Sequence, residues 1–426
     1  MSAEPSTIQR LSCADGFSLE VPGAFRELPE LETGSVCLAA HVEPWPSPEE
    51  FRPSLAAEVA PLSPDAATLP QLSARTIAEQ VAGGLHVAAC DAWLEQDGEY
   101  GRRITSIYPA MDTTVVQRQY LGIRGGRAIT VSVQHGGGYE RGMDIFRLAV
   151  STIQCEFDDP PPEPDPATMP RLDPIARERG MDLEYLGGIR AAQPFKSAGP
   201  ALDDAQLDAL RRGKLRRGTD PAALQAGGLV DERGRLTEVG DAARRALSSG
   251  ARREVTLEVV TDDDPRVAVL HAYQLRDTAA VVASAPPGEP DAGTTVDVIA
   301  PQTTPIALAR WVGLAPAWTF GITEDGEDRT LRLDAAILDA RLTAPGALPP
   351  ADANEYLVRM WTQPWQVTSL RASQPGPLVG TVITTPEDGS FTLGRDGDSA
   401  QASLTPLPSA SYLTVLLRLG GFDIAV

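Results

Sequence analysis

The chain has 426 residues and a formal net charge of −21 at pH 7. This length exceeds the size at which one hydrophobic core usually stops growing, so two or more domains are expected. The negative charge disfavours nucleic acids and anionic membranes as general partners, because contact with phosphate groups depends on clustered Lys and Arg side chains.

The N-terminal residues lack the pattern of a signal peptide. Residues 1–10 are polar, and Asp15 and Glu20 interrupt the apolar residues of 11–24. No run approaches the roughly 20 apolar residues that span a bilayer. The cysteines form no C-x-x-C pair, which predicts free thiols: Cys13, Cys37, Cys90 and Cys155. We therefore expect a cytoplasmic protein without membrane insertion. Scarce lysine beside abundant arginine is typical of GC-rich actinobacterial genomes.

Residues 1–157 have the pattern of an antiparallel sheet with two helices. Strands are predicted at 17–21, 36–42, 52–61, 86–95, 102–108, 113–123 and 127–134. One helix is predicted at 68–82, where Thr68 can cap the first turn, and another at 139–153. This order predicts an α+β sandwich. The element order, with "FSLEVP" and the hairpin "TTVVQRQYLGIRGGRAITVSV", resembles the Mog1/PsbP-like fold of LpqN-type and DcrB-like domains.

A proline-rich stretch follows the first domain. The sequence "DDPPPEPDP" at 158–166 favours neither a helix nor a strand ladder, so an extended, semi-rigid spacer is expected. We assign 158–200 to this linker, with a short helix at 173–184 left open. The second domain is then 201–426.

The second domain repeats one pattern of helices and strands. Helices predicted from Asp203, at 221–226 and at 238–247 precede a strand meander at 254–260, 267–274, 279–285 and 294–299. Helices from Thr304, at 334–342 and at 352–361 precede strands at 367–372, 376–384 and 390–394, and a last helix at 409–419. Asp203 with Gln206, and Asp352 with Glu355, have the spacing of capping boxes. The repetition predicts a two-halved α+β domain.

The stretch "GLVDERGRL" at 228–236, with the helix and strands after it, resembles the EspG family of type VII secretion chaperones. The segments "GPLVGTVIT" and "GSFTLGRDGDSAQASLTPLPSASYLTVLLRLG" extend the resemblance over about 200–426. It implies two pseudo-related subdomains that share a central antiparallel sheet flanked by helical bundles. The fold class expected for the whole chain is α+β, a Mog1/PsbP-like antiparallel sandwich followed by this EspG-like domain.

Motifs for catalysis or metal binding are weak. The histidines have no metal-ligand spacing: His41, His86, His135 and His271. The sequence "HGGG" at 135–138 is similar to a lipase oxyanion loop, but the chain has no G-x-S-x-G nucleophile elbow. Three aspartates at 262–264 are typical of a solvated hairpin tip. We predict no catalytic, cofactor or metal site, and a hydrolase that uses His135 is a minor hypothesis.

The acidic chain has one basic region, at 211–253. "RLTEVGDAARRAL" within it resembles the wing and last helix of a winged-helix module, so a DNA-binding regulator is the alternative function. A solvated helix face and a docking site for an acidic partner segment also remain open.

The final helix is apolar around most of its circumference, so it is either buried in its own fold or covered by a partner. Its predicted partner-binding residues are Tyr412, Val415, Leu416 and Leu419. In the EspG family the C-terminal helical bundle and adjoining sheet engage the cargo. The resemblance therefore implies a non-enzymatic, cytoplasmic, chaperone-like protein that binds the apolar end of an α-helical type VII secretion substrate, with no nucleic-acid partner.

Overall fold

The structure is a computed structural model. It describes residues 8–12, 16–28, 36–43, 51–94, 100–111, 113–138, 149, 151–155, 157–215, 218–260, 267–286, 293–320, 330–372, 379–395 and 400–421. The chain divides into two compact units, whose described residues end at Ala192 in unit 1 and run from Gln193 to Gly421 in unit 2.

Unit 1 contains a seven-stranded and a three-stranded antiparallel sheet. Its strands are β1 Ile8–Ser12, β2 Phe17–Pro22, β3 Phe25–Glu27, β4 Val36–Val42, β5 Ser54–Pro61, β6 His86–Leu94, β7 Tyr100–Ala110, β8 Thr113–Arg124, β9 Arg127–Gly136 and β10 Gln154–Cys155. The larger sheet has the order β3-β4-β5-β9-β8-β7-β6, and the smaller has β1-β2-β10. Every neighbouring pair in both sheets is antiparallel.

The two sheets enclose the core of unit 1. Alternate residues Phe17, Leu19 and Val21 of β2 are buried and belong to one apolar cluster with Val131 and Val133 of β9. Burial of every second side chain is the period that a half-covered strand requires. Residues 139–148 and 150 of the predicted second helix lie outside the described residues.

Helix α1, Leu69–Ala82, packs against β6, β7 and β8. Its predicted start is confirmed, because Thr68 and Gln71 form a reciprocal capping box. Ser73 and Gln80 of this helix are buried. Gln80 hydrogen-bonds Gln119 of β8 and Ser106 of β7, so polar side chains also join the helix to the sheet.

The segment predicted as a spacer, 158–200, differs from that prediction. Its residues to Ala192 belong to unit 1 and include the short helices α2 Pro174–Glu178 and α3 Ile189–Ala192. Arg127 pairs with Asp159 at 2.8 Å, and Gln71 donates to the Asp165 carbonyl at 3.0 Å. The proline-rich run exposes backbone acceptors and carboxylates that side chains of the sandwich satisfy, so it lies along the unit.

Unit 2 has one ten-stranded antiparallel sheet with helices. The strands are β11 Ala201–Leu202, β12 Ala251–Val260, β13 Val267–Gln274, β14 Ala279–Ala283, β15 Thr294–Ile299, β16 Leu331–Asp334, β17 Trp365–Ala372, β18 Val379–Thr385, β19 Gly389–Arg395 and β20 Gln401–Leu407. The helices are α4 Asp204–Arg212, α5 Ala222–Ala226, α6 Glu238–Ser249, α7 Thr304–Trp311, α8 Ala335–Thr343, α9 Glu355–Thr362 and α10 Ser409–Leu419.

The sheet of unit 2 consists of two halves with the same topology. Its order is β11-β15-β14-β13-β12-β17-β18-β19-β20-β16. Each half begins with a short strand that ends at a sheet edge, continues through helices into a four-stranded meander, and finishes with one helix. The halves join where β12 pairs with β17, from Arg253 opposite Ala372 to Val260 opposite Trp365. The predicted repetition is therefore present, and the α+β class is confirmed.

Helices pack on both faces of the sheet in unit 2. On one face, α4, α5 and α6 pack on β13–β15, and Trp361 of α9 stacks edge-on against Trp365 of β17 with centroids 5.0 Å apart. Arg341 of α8, fully buried, lies 4.7 Å from the Trp365 ring centroid and donates to the Trp361 carbonyl at 2.9 Å. On the other face, α7 and α10 pack on each other.

Some boundaries in the second domain differ from the prediction. Asn354, not Asp352, caps α9, because its side chain accepts the hydrogen bond from the Leu357 amide at 2.8 Å. The sequence indicates that 404–408 only introduces the last helix, whereas residues 401–407 form the strand β20. Pro406 lies beyond the residues of β20 that pair with β16, where a missing amide proton is tolerated.

Candidate partner-binding site

The residues predicted to bind a partner lie on α10, and the fold buries most of them. Tyr412, Leu416 and Leu419 are at most 1% exposed, whereas Val415 is partly exposed. The helix packs on α7, β17 and β19. The four residues are thus together on one helix, but three belong to the core of unit 2. They do not form an exposed binding face in this structure.

Side chains from the two central strands hold the ends of α7 and α10. Arg253 of β12 donates from Nε to the Leu419 carbonyl, the last residue of α10, at 2.8 Å. Gln366 of β17 donates to the carbonyl of Val312, the C-cap of α7, at 2.7 Å. Helix C-termini carry unsatisfied carbonyls with partial negative charge, which a buried donor stabilises. Burial lowers the pKa of the Arg253 guanidinium.

The stretch 228–236 forms a tight hairpin that leads into α6. Val230 bridges to Leu236, and the Asp231 carboxylate accepts hydrogen bonds from the amides of Arg233 and Arg235 at 2.9 and 2.8 Å. Gly234 has φ of 71°, a conformation that glycine adopts without strain. The hairpin is a structural turn that positions the start of α6.

Several arginines of the basic region are paired with acidic or aromatic side chains. Arg212 pairs with Asp208, Arg244 with Asp241, Arg245 with Asp277, and Arg252 with Glu254, while Arg211 lies over the Tyr273 ring. Exposed cations on this surface include Lys214, Arg233 and Arg235. Because the paired guanidiniums lie beside carboxylates, the local positive field is weaker than the sequence indicates.

Exposed apolar side chains lie beside α9 instead of α10. Leu348 is 82% exposed in the loop between α8 and α9, and Val358 of α9 is 39% exposed. Trp361 ties the loop to the helix, since its indole donates to the Ala347 carbonyl at 3.0 Å. Val358 precedes Trp361 by one helical turn and so faces the same side of α9. Sequence reasoning missed this apolar pair, although Leu348 stands out as a large apolar residue in "APGALPP".

His135, the histidine of the oxyanion-like sequence, is buried with both ring nitrogens in hydrogen bonds. Nδ1 lies 2.9 Å from the Gly136 carbonyl and Nε2 lies 2.7 Å from an Arg118 nitrogen. A carbonyl only accepts and a guanidinium only donates, so the proton is on Nδ1 and the ring is neutral. Burial and the Arg118 charge lower the pKa of His135 to about 3. These contacts describe a structural histidine.

Other candidate groups have structural surroundings or lie elsewhere. No group of three or more His, Cys, Asp and Glu side chains in the described part of the chain could hold a metal ion. The aspartates at 262–264 lie outside it. Burial raises the pKa of the Cys90 thiol, and Cys90 and Cys155 are free. Among the described residues, no helix is long and apolar enough to cross a bilayer.

Comparisons with known proteins were made at the level of sequence and of fold. No protein-family model matches the chain, and no curated protein does. Similar solved structures include the Ran-binding protein Mog1p of Saccharomyces cerevisiae, with 14% identity, a TM-score of 0.26, and coverage of 36% of this chain and 97% of that one. LpqN of Mycobacterium tuberculosis, involved in cell envelope biogenesis, has 13% identity, a TM-score of 0.20, and coverage of 36% and 87%.

A protein from Bacteroides thetaiotaomicron is also similar, with 10% identity and a TM-score of 0.24. The match covers 34% of this chain and 48% of the length of that protein. Mog1p and LpqN have the Mog1/PsbP-like fold, so the structural neighbours include this fold at low coverage.

Proposed function

We propose that the chain is a non-enzymatic, chaperone-like protein of the cytoplasm that binds the apolar end of an α-helical type VII secretion substrate. The observation that carries the proposal is the duplicated sheet of unit 2, in which two halves of equal topology share the β12–β17 pairing. This is the architecture that the EspG resemblance implies. Binding shields apolar surface of the substrate that would otherwise aggregate before export.

The contact surface in this proposal differs from the one expected at first. Since α10 is largely buried, the substrate meets exposed apolar side chains beside α9, namely Leu348 and Val358. Burial of one such side chain contributes about 1.5–3 kcal/mol, which is enough to change affinity by about tenfold or more. Val415, partly exposed on α10, is the one predicted residue still open to contact.

Co-expression tests the proposal directly. The full chain is produced with each helical type VII substrate encoded near its gene, and the mixture is separated by size exclusion. We expect one substrate to remain soluble and to elute with the chain. The proposal is refuted if the chain elutes separately from every candidate substrate encoded near its gene.

Point variants test the surface. Leu348→Asp and Val358→Asp should each weaken the complex by about tenfold or more, because a charge then faces an apolar partner. Val239→Asp is the matched control, since Val239 is 48% exposed on α6. An equal loss of affinity in all three variants would assign the effect to general destabilisation. Unchanged affinity in the first two variants would exclude this surface.

The rival function is DNA binding through the region 211–253. The exposed cations Lys214, Arg233 and Arg235 favour it, and the pairing of neighbouring arginines with carboxylates opposes it. A gel shift with genomic fragments that weakens steeply with added salt would support this function. An absent shift, or one that is insensitive to salt, would exclude DNA binding as the function.

A further inference from the structure

The seven-stranded sheet of unit 1 carries a polar cluster on the face that continues into the apolar core. Arg103 of β7 pairs across the strands with Asp91 of β6, and Thr105 of β7 lies directly opposite Arg118 of β8. His135 of β9 completes the cluster through its bond with Arg118. Directly opposed residues in an antiparallel pair have Cβ atoms about 5 Å apart, so these side chains are neighbours.

The positive charges of the cluster outnumber its carboxylates. Arg103 binds Asp91 through Nε and a terminal nitrogen, at 3.3 and 3.1 Å. Arg118 contacts only the neutral imidazole of His135, at 2.7 Å, and pairs with no carboxylate of the described residues. Burial and the Arg103 charge lower the pKa of Arg118 to about 10, still far above neutrality. Arg118 is thus a mostly buried cation with no directly paired carboxylate among the described residues. Asp91 acts on it only through its more distant charge, which makes the arrangement costly.

A second group in the cluster is also unpaired within the described part of the chain. The Thr105 hydroxyl is buried, with its residue 1% exposed, and no described residue hydrogen-bonds it. It lies on the same face as the guanidinium of Arg118, across one strand pair. The large majority of buried hydroxyls have a hydrogen-bond partner, either protein or an ordered small molecule such as water. The cluster opens to solvent on the side of Arg103 and Asp91, whose side chains are 22% and 24% exposed.

We infer that Arg118, Arg103 and Thr105 form a binding site for a small oxyanion, the carboxylate or phosphate group of a metabolite. The anion receives charge-assisted bonds from the Arg118 guanidinium and a hydrogen bond from Thr105. Arg103 supplies a second positive charge, and Asp91 limits the site to a single excess charge. His135, whose ring is fixed by its hydrogen bond with the Gly136 carbonyl, orients Arg118 as a positioning residue. This site is in unit 1 and is independent of the substrate surface proposed for unit 2.

Isothermal titration of the full chain with inorganic phosphate, and separately with succinate, tests the site at constant ionic strength. A protein of net charge −21 repels anions in general, so saturable binding at one site must come from a local cluster. The two titrations distinguish a phosphate ligand from a carboxylate ligand. We expect one of them to saturate with one equivalent. No saturable heat with either anion overturns the inference.

Variants locate the binding. Arg118→Gln should lower the affinity for the anion that saturates by at least about tenfold, because it removes the charge and the forked donors. Thr105→Val, which keeps shape and removes the hydroxyl, should weaken it severalfold and retains the test if Arg118→Gln fails to fold. Arg75→Gln is the control, since Arg75 is an exposed arginine of unit 1 paired with Glu79. Parental affinity in folded Arg118→Gln or Thr105→Val would refute the site.

Discussion

Arg253 on β12 donates a hydrogen bond to the Leu419 carbonyl at 2.8 Å, across 166 residues of sequence. The strand belongs to the first half of unit 2 and the helix to the second half. Gln366 makes the reverse connection, from the second half to the Val312 carbonyl at the end of α7. Each half therefore fastens the terminal helix of the other.

Loss of either connection should destabilise unit 2. Arg253→Leu and Gln366→Leu each leave a helix-end carbonyl buried without a donor, which costs about 1–3 kcal/mol. Urea unfolding measures the change. The control is Arg371→Leu on β17, whose side chain is 69% exposed, and it should stay within about 0.5 kcal/mol of the parent. Equal stability of Arg253→Leu and Arg371→Leu would contradict the structural role of Arg253.

The ion pair between Glu184 and Arg102 should hold the segment 158–192, which was predicted as a spacer, against the sheet of unit 1. The two side chains are each 2% exposed and lie 3.0 Å apart, and Arg102 also donates to the Asp182 carbonyl at 2.8 Å. Glu184→Gln leaves the guanidinium buried without its counter-charge, at a cost of about 3–5 kcal/mol. Limited proteolysis should then cut within 171–186.

The matched control for Glu184→Gln is Asp159→Asn, which removes the pair with Arg127. Asp159 is 59% exposed, so this change should cost no more than about 1 kcal/mol. If Glu184→Gln is as stable and as protease-resistant as Asp159→Asn, the segment is not held by the buried pair.

His135 should make the folded state less stable in acid. Its folded pKa is lowered to about 3, below the ordinary value of 6.5, so the unfolded chain takes up a proton first as the pH falls. The stability it contributes is fully present above pH 6.5 and is lost as the pH falls toward 3. Between pH 7 and 4 the parent should lose about 3 kcal/mol more than His135→Gln. Urea unfolding across this range checks the difference, and parallel profiles would disprove it.

Gly240 of α6 should tolerate no side chain. A Cβ placed there would lie 1.9 Å from the carbonyl oxygen of Leu229, in the hairpin before the helix. Gly240→Ala must therefore separate helix from hairpin, which costs about 1–3 kcal/mol or more. Gly380→Ala on β18 is the control, because nothing lies within 4 Å of its added Cβ. Thermal unfolding of both variants makes the comparison, and similar melting temperatures would show that the hairpin can shift.

Local patterns in the sequence predicted local structure well. The cap at Thr68 and the capping box of Asp203 with Gln206 are confirmed, because the groups involved lie within one helical turn of each other. Short strands at the sheet edges were missed. An example is β16, whose four residues are too few to show a recognisable periodicity.

Long-range contacts could not be predicted from the sequence. The partner of Arg102 is 82 residues away, and no feature of the proline-rich segment marks Glu184 as that partner. The surroundings of α10 were likewise undetermined, because a helix that is apolar all round has the same sequence whether its own fold or another protein covers it. Tyr412 and Leu416 were chosen for their apolarity, which is also the property that buries them.

The β12–β17 pairing has a consequence for biosynthesis. While the ribosome is still adding the second half, β12 is the outermost strand of a finished meander and presents unpaired amides and carbonyls to other nascent chains. The edge of β12 stays unpaired until β17 is synthesised and pairs with it. Arg253 gains its acceptor only when residue 419 has left the exit tunnel. Pauses in translation between residues 300 and 365 should thus be the interval in which newly made copies are most prone to coaggregate.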